Sequence, residues 1–286
     1  MVDPLSEWLR RREPADFAAR SDALTRAVAD ALSVADEISI VDLGAGAGSN
    51  IRYLTERLGL RQRWLAVDRS AELLAEVPQR MAAWATARGY DPRLEGGLCH
   101  VRAPHFECAV ETRQRDLRTL DADLFAGRHL VTASALLDLV PESWLRVLAA
   151  QCRAAGAVAL FTITYNGRSS CMPVEDEDEM VRDLLNQHQN TNIGFGAPAA
   201  GPDAAHVAEQ CFIQAGYRVR RANSDWQLGP AEGAMQRLLI EGWAQAATAI
   251  APGRAPTIAS WRGRRLAHVA AGRSHIAVGH DDLAAL

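Results

Sequence analysis

The sequence predicts a doubly wound α/β protein: a mostly parallel, seven-stranded sheet with helices on both faces and a helical leader in front. Three observations carry this. Ile38–Asn50 (ISIVDLGAGAGSN) passes from a β-branched run through three alternate glycines into a helical pattern. The apolar positions Ile38, Ile40, Val41 and Leu43 are nearly continuous, as in a parallel strand buried on both faces. From there to Thr164, short apolar runs alternate with amphipathic stripes, the pattern of repeated strand–helix–strand units.

Taken in order, residues 1–37 form the leader. Ser6–Leu32 reads as two helices separated near Glu13-Pro14, with Leu24, Val28 and Leu32 at helical spacing and Ser21 or Asp22 as the second cap. Arg10-Arg11-Arg12 reads as a solvated face. A second reading lays the leader over the crevice, with Arg20 or Arg26 meeting an anionic ligand group. Residues 38–286 form one domain. Its second strand is Arg63–Asp68, followed by a helix capped at Ser70 and running to about Ala87, with Leu73, Leu74, Val77 and Met81 on one face. Gly89–Pro104 reads as a loop, Phe106–Thr112 as the third strand and His129–Ser134 as the fourth. Pro141 opens a helix with a Trp144, Leu145, Leu148 stripe. The fifth strand, Ala157–Thr164, ends at Tyr165-Asn166-Gly167-Arg168. A helical insertion of about 168–203 follows, with an acidic run at Glu175–Glu179 and a polar stretch at Asn186–Gly201. Then come a helix over Asp203–Ala215, a strand over Tyr217–Asp225, helices over Ala231–Ile250 and Ala255–Ala271, and a last strand at Ser274–Val278.

Composition narrows the partners. The chain has 286 residues and a formal charge of −4, and all 31 basic residues are arginine. The acidic balance weighs against a nucleic-acid partner, which needs a basic face. The five cysteines are scattered, with no CxxC pair, which favours reduced thiols over a disulfide scaffold or a zinc site. The N-terminus lacks the apolar stretch of a signal peptide, and no apolar run approaches the roughly 20 residues of a membrane helix. A cytoplasmic protein with no membrane partner is expected; its oligomeric state is left open.

The glycine turn points to a nucleotide-like cofactor, because it brings backbone and a helix N-terminus against the ligand. A dinucleotide fingerprint has glycine at the first, third and sixth positions. Here the sixth, counted from Gly44, is Ser49. The observed spacing is Asp42-Leu43-Gly44-x-Gly46-x-Gly48, followed by Asp68 at the end of the second strand and Asp116-Leu117 after the third.

From Ile38 to Thr164 the chain resembles the class I S-adenosylmethionine-dependent methyltransferases. VDLGAGAGSN is similar to the family's first motif, WLAVDRS to the second and Asp116-Leu117 to the adenine-contacting motif. The resemblance implies S-adenosylmethionine as cofactor. It would lie on Asp42, Gly44, Ala45, Gly46, Gly48 and Asn50, with Asp42 serving the amino group through water. Asp68, beside Arg69, would take the ribose diol, since a carboxylate accepts from both hydroxyls. Asp116 and Leu117 would meet the adenine, and Ser134 to Leu137 would line the cofactor and face the substrate. The two helices before the last strand depart from the simplest family ending, a hairpin of the sixth and seventh strands. Asp42 and Asp116 read alternatively as cap or turn carboxylates.

The chemistry expected is in-line methyl transfer to a small molecule, a hydroxyl more than an amine, without a metal. Asp138 is the nearest candidate base by analogy, and reads equally well as a cap for the helix opening at Pro141. His188 is a second candidate. Tyr165, Asn166, Arg168 and Asn192 are substrate-side candidates, in a stretch whose uncharged hydrogen-bonding residues suit a polyhydroxylated or amide-bearing molecule. Competing readings are a methyltransferase acting on RNA or protein, a cofactor-binding protein without chemistry and, more remotely, an NAD-dependent oxidoreductase.

Overall fold

The apolar run before the glycine turn divides its side chains between two cores. Val41 and Leu43 enter one, Ile38 and Ile40 the other. The strand is therefore covered on both faces. The structure is a computed structural model and describes residues 4–191 and 194–286. Its strands are β1 (Glu37–Leu43), β2 (Leu60–Asp68), β3 (Asp91–Glu95), β4 (Leu98–Arg102), β5 (Phe106–Gln114), β6 (Leu130–Ser134), β7 (Val158–Met172), β8 (Val219–Asn223), β9 (Trp226–Leu228) and β10 (His275–Ala285). Its helices are α1 (Pro4–Ala19), α2 (Asp22–Leu32), α3 (Ser49–Leu58), α4 (Ala71–Ala87), α5 (Glu142–Ala155), α6 (Asp178–Gln189), α7 (Ala204–Gln214), α8 (Gly233–Ile250) and α9 (Ala255–Ala270).

The strands form one sheet in the order β3-β4-β5-β2-β1-β6-β7-β10-β8, with β9 beside β10. Only the central five, β5-β2-β1-β6-β7, are parallel. The expected seven-stranded, mostly parallel sheet is thus corrected to a ten-stranded mixed one. Helices α2, α3 and α4 bury Val28, Ile51, Leu54, Val77 and Met81 on one face, while α5 and α7 bury Leu145, Leu148, Ala208 and Phe212 on the other. A third core, built on Ile163, Trp226, Ile240 and Trp261, joins β7, β9 and β10 to α6, α8 and α9.

The added strands have local causes. Gly89–Pro104, expected as a loop, holds the β3–β4 hairpin. Glu95 pairs with Leu98 across Gly96-Gly97, whose φ values of 58° and 83° form the left-handed two-residue turn that matches strand twist. The expected strand at Tyr217–Asp225 holds β8 alone, and β9 forms beyond it from Trp226, while β10 shifts register between Val278 and His280. Its two stretches then need separate partners. Helices α8 and α9 are inserted between β9 and β10, which still pair antiparallel.

In the leader, the break expected at Pro14 falls instead at Arg20-Ser21. Pro14 lies on the exposed side of α1, where the carbonyl its ring displaces can meet water. Ser21 and Ser70 cap α2 and α4, accepting from the amides of Leu24 (3.3 Å) and Leu73 (3.2 Å). Among the described residues, no helix is long and apolar enough to cross a membrane.

Candidate active site

The chain runs from β1 outward to β5 and then returns to β6 on the other side of β1. The carboxyl ends of β1 and β6 therefore part at a switch point, where open α/β sheets form their crevice. Two adjoining cavities, of about 230 and about 450 Å3, occupy it and share Gly44, Asp68, Arg69, Leu136 and Leu139.

The smaller cavity lies over the glycine turn. Gly44, Ala45, Gly46, Ala47 and Asn50 form its floor. Gly46 has φ 52°, and a Cβ there would stand 3.3 Å from Leu9 of α1. Gly48, at φ 79°, caps α3 and does not line the cavity. Beneath the turn, Asp42 is fully buried. Its Oδ1 accepts from Asn50 Nδ2 (2.6 Å), and Oδ2 has no partner among the described residues. Burial raises the Asp42 pKa to about 7, against the pull of Asn50 and of Arg20. Arg20, 5% exposed, donates to Asn50 Oδ1 (2.7 Å) and Ser134 Oγ (2.9 Å) and stacks 4.4 Å from the Tyr53 ring centroid. Asn50 Nδ2 also donates to Thr132 Oγ1 (3.1 Å), so one network ties β1, α3 and β6 to the leader. Arg26, by contrast, is exposed on α2.

Asp68 stands where both cavities meet. Its Oδ2 accepts from the Gly46 amide (2.9 Å) and its Oδ1 from the Ser70 amide (2.9 Å). Arg69 is exposed beside it. Asp116 and Leu117 line the larger cavity. Asp116 also closes a turn, accepting from the Arg118 amide (2.9 Å) and Nε (2.7 Å), and these contacts hold its pKa down. Gly194 and Phe195 form the far wall, with Phe195 edge-on to Trp144 at 6.3 Å. This part of the polar stretch after α6 thus meets the Asp68–Asp116 end of the cleft.

No protein-family model matches the chain, and no curated protein matches it. Solved structures do. A cyclopropane-fatty-acyl-phospholipid synthase-like protein from Lactobacillus casei aligns at TM-score 0.51 and 11% identity, over 98% of this chain and 92% of that chain. A cyclopropane synthase from Mycobacterium tuberculosis aligns at TM-score 0.45 and 10% identity, over 100% and 99%. A phospholethanolamine N-methyltransferase from Haemonchus contortus aligns at 0.44 and 15%, over 98% and 57%. The fold is that of the class I S-adenosylmethionine-dependent methyltransferases.

In this methyltransferase fold the segment after β6 is where the structure departs from the sequence expectation. Ser134 lines the smaller cavity, but Leu137 turns into the core, and Leu136 and Leu139 face the cleft instead. Ala135, at φ 54°, is a non-glycine residue in the left-handed region next to the cavity. Asp138 lies in a 3-10 turn, 6% exposed, lines neither cavity, and has its Oδ1 without a partner among the described residues. Burial raises its pKa to about 6, and the Arg12 charge opposes that. Pro141 occupies the cap position of α5, so Asp138 does not cap that helix.

Tyr165, Asn166 and Arg168 do not stand at a strand end. β7 continues to Met172 as the antiparallel partner of β10, and their side chains hydrogen-bond within the protein. Tyr165 Oη donates to Asn186 (2.8 Å), Asn166 to Asp281 (3.3 Å) and Arg168 to Asp225 (3.1 Å). None of the three lines either cavity. His188 sits half-buried in the last turn of α6 and also lines neither. Asn192 lies outside the described residues.

The second reading of the leader lays it over the crevice, but it names Arg20 and Arg26 and misses the residues of α1 that line it. Leu5, Leu9, Arg12, Glu13 and Asp16 roof the smaller cavity. Glu13 pairs with the buried Arg52 beneath (2.8 and 2.7 Å), which also donates to the Ala47 carbonyl. Arg10 and Arg11 are solvated as expected, whereas Arg12 is only 12% exposed. The Arg12, Asp16 spacing of four, beside Trp8, was the available signal. Among the described residues no group of three or more His, Cys, Asp or Glu is placed to hold a metal.

Proposed function

We propose that the protein is an enzyme that transfers the methyl group of S-adenosylmethionine to a small-molecule acceptor. One observation carries it. Asp42, wholly buried under the glycine turn, has an acceptor oxygen with no partner among the described residues, and the turn above it and its partner Asn50 line a cavity that Asp68 also lines. An unpartnered buried carboxylate oxygen suits a cationic amine brought close by the turn, and Asp68 suits a vicinal diol. At Gly46 a Cβ would stand 3.3 Å from Leu9, so the bare glycine lets α1 close over the turn. The donor set thus fits the cofactor: Asp42 and Asn50 at the amino-acid end, Asp68 at the ribose, Asp116, Leu117 and Phe195 around the base.

When bound, the cofactor supplies a methyl group on a positively charged sulfur, open to in-line attack. The protein's share is alignment, exclusion of water and handling of the acceptor's proton. Helix α1 roofs the glycine turn and shields it. Asp138 lines neither cavity itself, but Leu136 and Leu139 on either side of it line both; with an oxygen that has no partner among the described residues and a raised pKa, it is the group we assign to take that proton. His188, outside both cavities, is given no part. The acceptor nucleophile is a hydroxyl or an amine, the former preferred from sequence, and no metal is required. The five cysteines are buried free thiols, which fits a cytoplasmic location.

Calorimetry with S-adenosylhomocysteine and NAD tests this reading. S-adenosylhomocysteine should bind and NAD should not, and Asp68→Ala should weaken the former by about 1–3 kcal/mol, the cost of a diol left without its acceptor. Tight NAD binding alone, or an unchanged affinity in Asp68→Ala, refutes it.

A further inference from the structure

One positive side chain at the Asn50 end of the smaller cavity has no acid of its own. Arg20 is buried, and its side chain donates to two neutral groups, Asn50 Oδ1 (2.7 Å) and Ser134 Oγ (2.9 Å). Its Nε has no partner among the described residues. The acids beside it are committed elsewhere. Asp16, whose carbonyl accepts from the Arg20 amide (3.2 Å), holds Arg12 (3.0 and 3.2 Å) and Trp226 (3.0 Å) with its carboxylate. Asp282 accepts from the amides of Ser21 and Ile163, each at 2.8 Å.

Asn50 stands between Arg20 and Asp42 and is used on both sides, since Nδ2 donates to Asp42 Oδ1 (2.6 Å) and Thr132 Oγ1 (3.1 Å). Thr132 pairs in register with Asp42, and Ser134, two residues on, points to the same face of the sheet. That leaves Asp42 Oδ2 and the Ser134 proton for a ligand. Ser134 Oγ accepts from Arg20, and its hydroxyl donates to none of the described residues. Ser134 lines the smaller cavity, so its proton is free to be donated above the glycine turn. A guanidinium behind the oxygen polarises the O–H bond and strengthens it as a donor. A free acceptor on an acid, beside a free donor backed by a cation, is complementary to a zwitterion. This match needs no surplus charge of either sign.

We propose that Ser134, backed by the buried Arg20 of the leader, recognises the carboxylate of the cofactor's amino-acid end, while Asp42 serves its ammonium. The assignment rests on the S-adenosylmethionine reading and extends it to the second charge of that end. Ser134 is the group in contact. Arg20 lines neither cavity and is a positioning residue that acts through Ser134. It stands at the break between α1 and α2, so recognition of the carboxylate depends on a docked leader.

Calorimetry on the full chain with three ligands tests this. They are S-adenosylhomocysteine, its decarboxylated analogue, which keeps the amine, and methylthioadenosine, which has neither charge. The native chain should prefer S-adenosylhomocysteine to the decarboxylated analogue by about tenfold or more, the worth of one hydrogen bond to a charged group. Ser134→Ala and Arg20→Gln should each weaken S-adenosylhomocysteine about tenfold and leave the decarboxylated analogue within about twofold. Arg20→Lys, which keeps the charge without the fork, should recover part of the preference. Ser134→Ala removes only a hydroxyl at the cavity wall, so it decides the matter if Arg20→Gln fails to fold. A loss shared equally by both ligands means a purely structural role and overturns the assignment. A native chain that binds methylthioadenosine and S-adenosylhomocysteine but shows no preference over the decarboxylated analogue refutes the assignment alone. One that binds none of the three refutes the cofactor reading itself, and the assignment with it.

Discussion

Asp42→Asn tests the electrostatics beneath the glycine turn. The Asp42 carboxyl is wholly buried, its pKa is raised to about 7, and the groups facing it are Arg20, Asn50 and Asp68. A carboxyl with a raised folded pKa holds more protons in the folded chain than in the unfolded one. Stability must then fall as pH rises from the unfolded value, 3.8, towards the folded one. Between pH 5 and pH 8 the loss works out at about 2–3 kcal/mol, most of the interval between the two values converted at about 1.4 kcal/mol per pH unit. An asparagine does not ionise, and it keeps an oxygen for Asn50. The stability of Asp42→Asn relative to the native chain should therefore improve by the same about 2–3 kcal/mol on going from pH 5 to pH 8. Urea denaturation followed by tryptophan fluorescence at the two pH values measures this, since groups common to both proteins cancel. A stability difference that does not change with pH would refute the reasoning, by showing that Asp42 titrates as a solvated acid. The same substitution should weaken S-adenosylhomocysteine binding, because the free carboxylate oxygen becomes an amide or loses its charge.

Two other outcomes follow from the same geometry. If Asp138 takes the acceptor's proton it must be ionised, so turnover of the native chain should fall as pH drops through about 6, with Arg12 and Tyr165 the charged and titratable groups nearest it. In Asp138→Asn, turnover should drop by about 10²-fold or more and the acid limb should vanish, while cofactor affinity is kept; an unchanged pH–rate profile removes Asp138 from the chemistry. Glu13→Ala leaves the buried Arg52 without its carboxylate and should cost about 3 kcal/mol in urea denaturation. An unshifted midpoint would show that α1 does not anchor on the glycine-turn helix.

The central strands were legible because their signal is local. A β-branched run closed by an acid, or by glycines, needs no distant partner to be recognised, and the helix caps at Ser21 and Ser70 depend on three residues each. The β3–β4 hairpin was legible too, in Gly96-Gly97 between alternating positions, but Pro104 and the nearby glycines made the stretch look like a loop. The continuation of β7 past Thr164 was not. Tyr165–Met172 is polar, and it becomes a strand only because β10, more than a hundred residues later, supplies hydrogen bonds for it. Tyr165, Asn166 and Arg168 were misplaced for that reason: their positions follow from a partner strand that local pattern does not reveal.

The sequence by itself determined the parallel core, the glycine turn and the carboxylates Asp42, Asp68 and Asp116 at or just past the carboxyl ends of β1, β2 and β5. These depend on backbone conformation and on residue spacing along one segment. Tertiary structure alone decided which residues of α1 roof the turn, that Arg20 reaches Asn50 and Ser134, and that Arg12 leaves its exposed neighbours for Asp16 and two tryptophans. Whether a charge is solvated or buried is set by what packs against it, and for Arg12 those partners come from α1 and β9. The glycine turn of Ile38–Asn50 marks where the proposed cofactor lies, and the fold brings the surrounding charges to it.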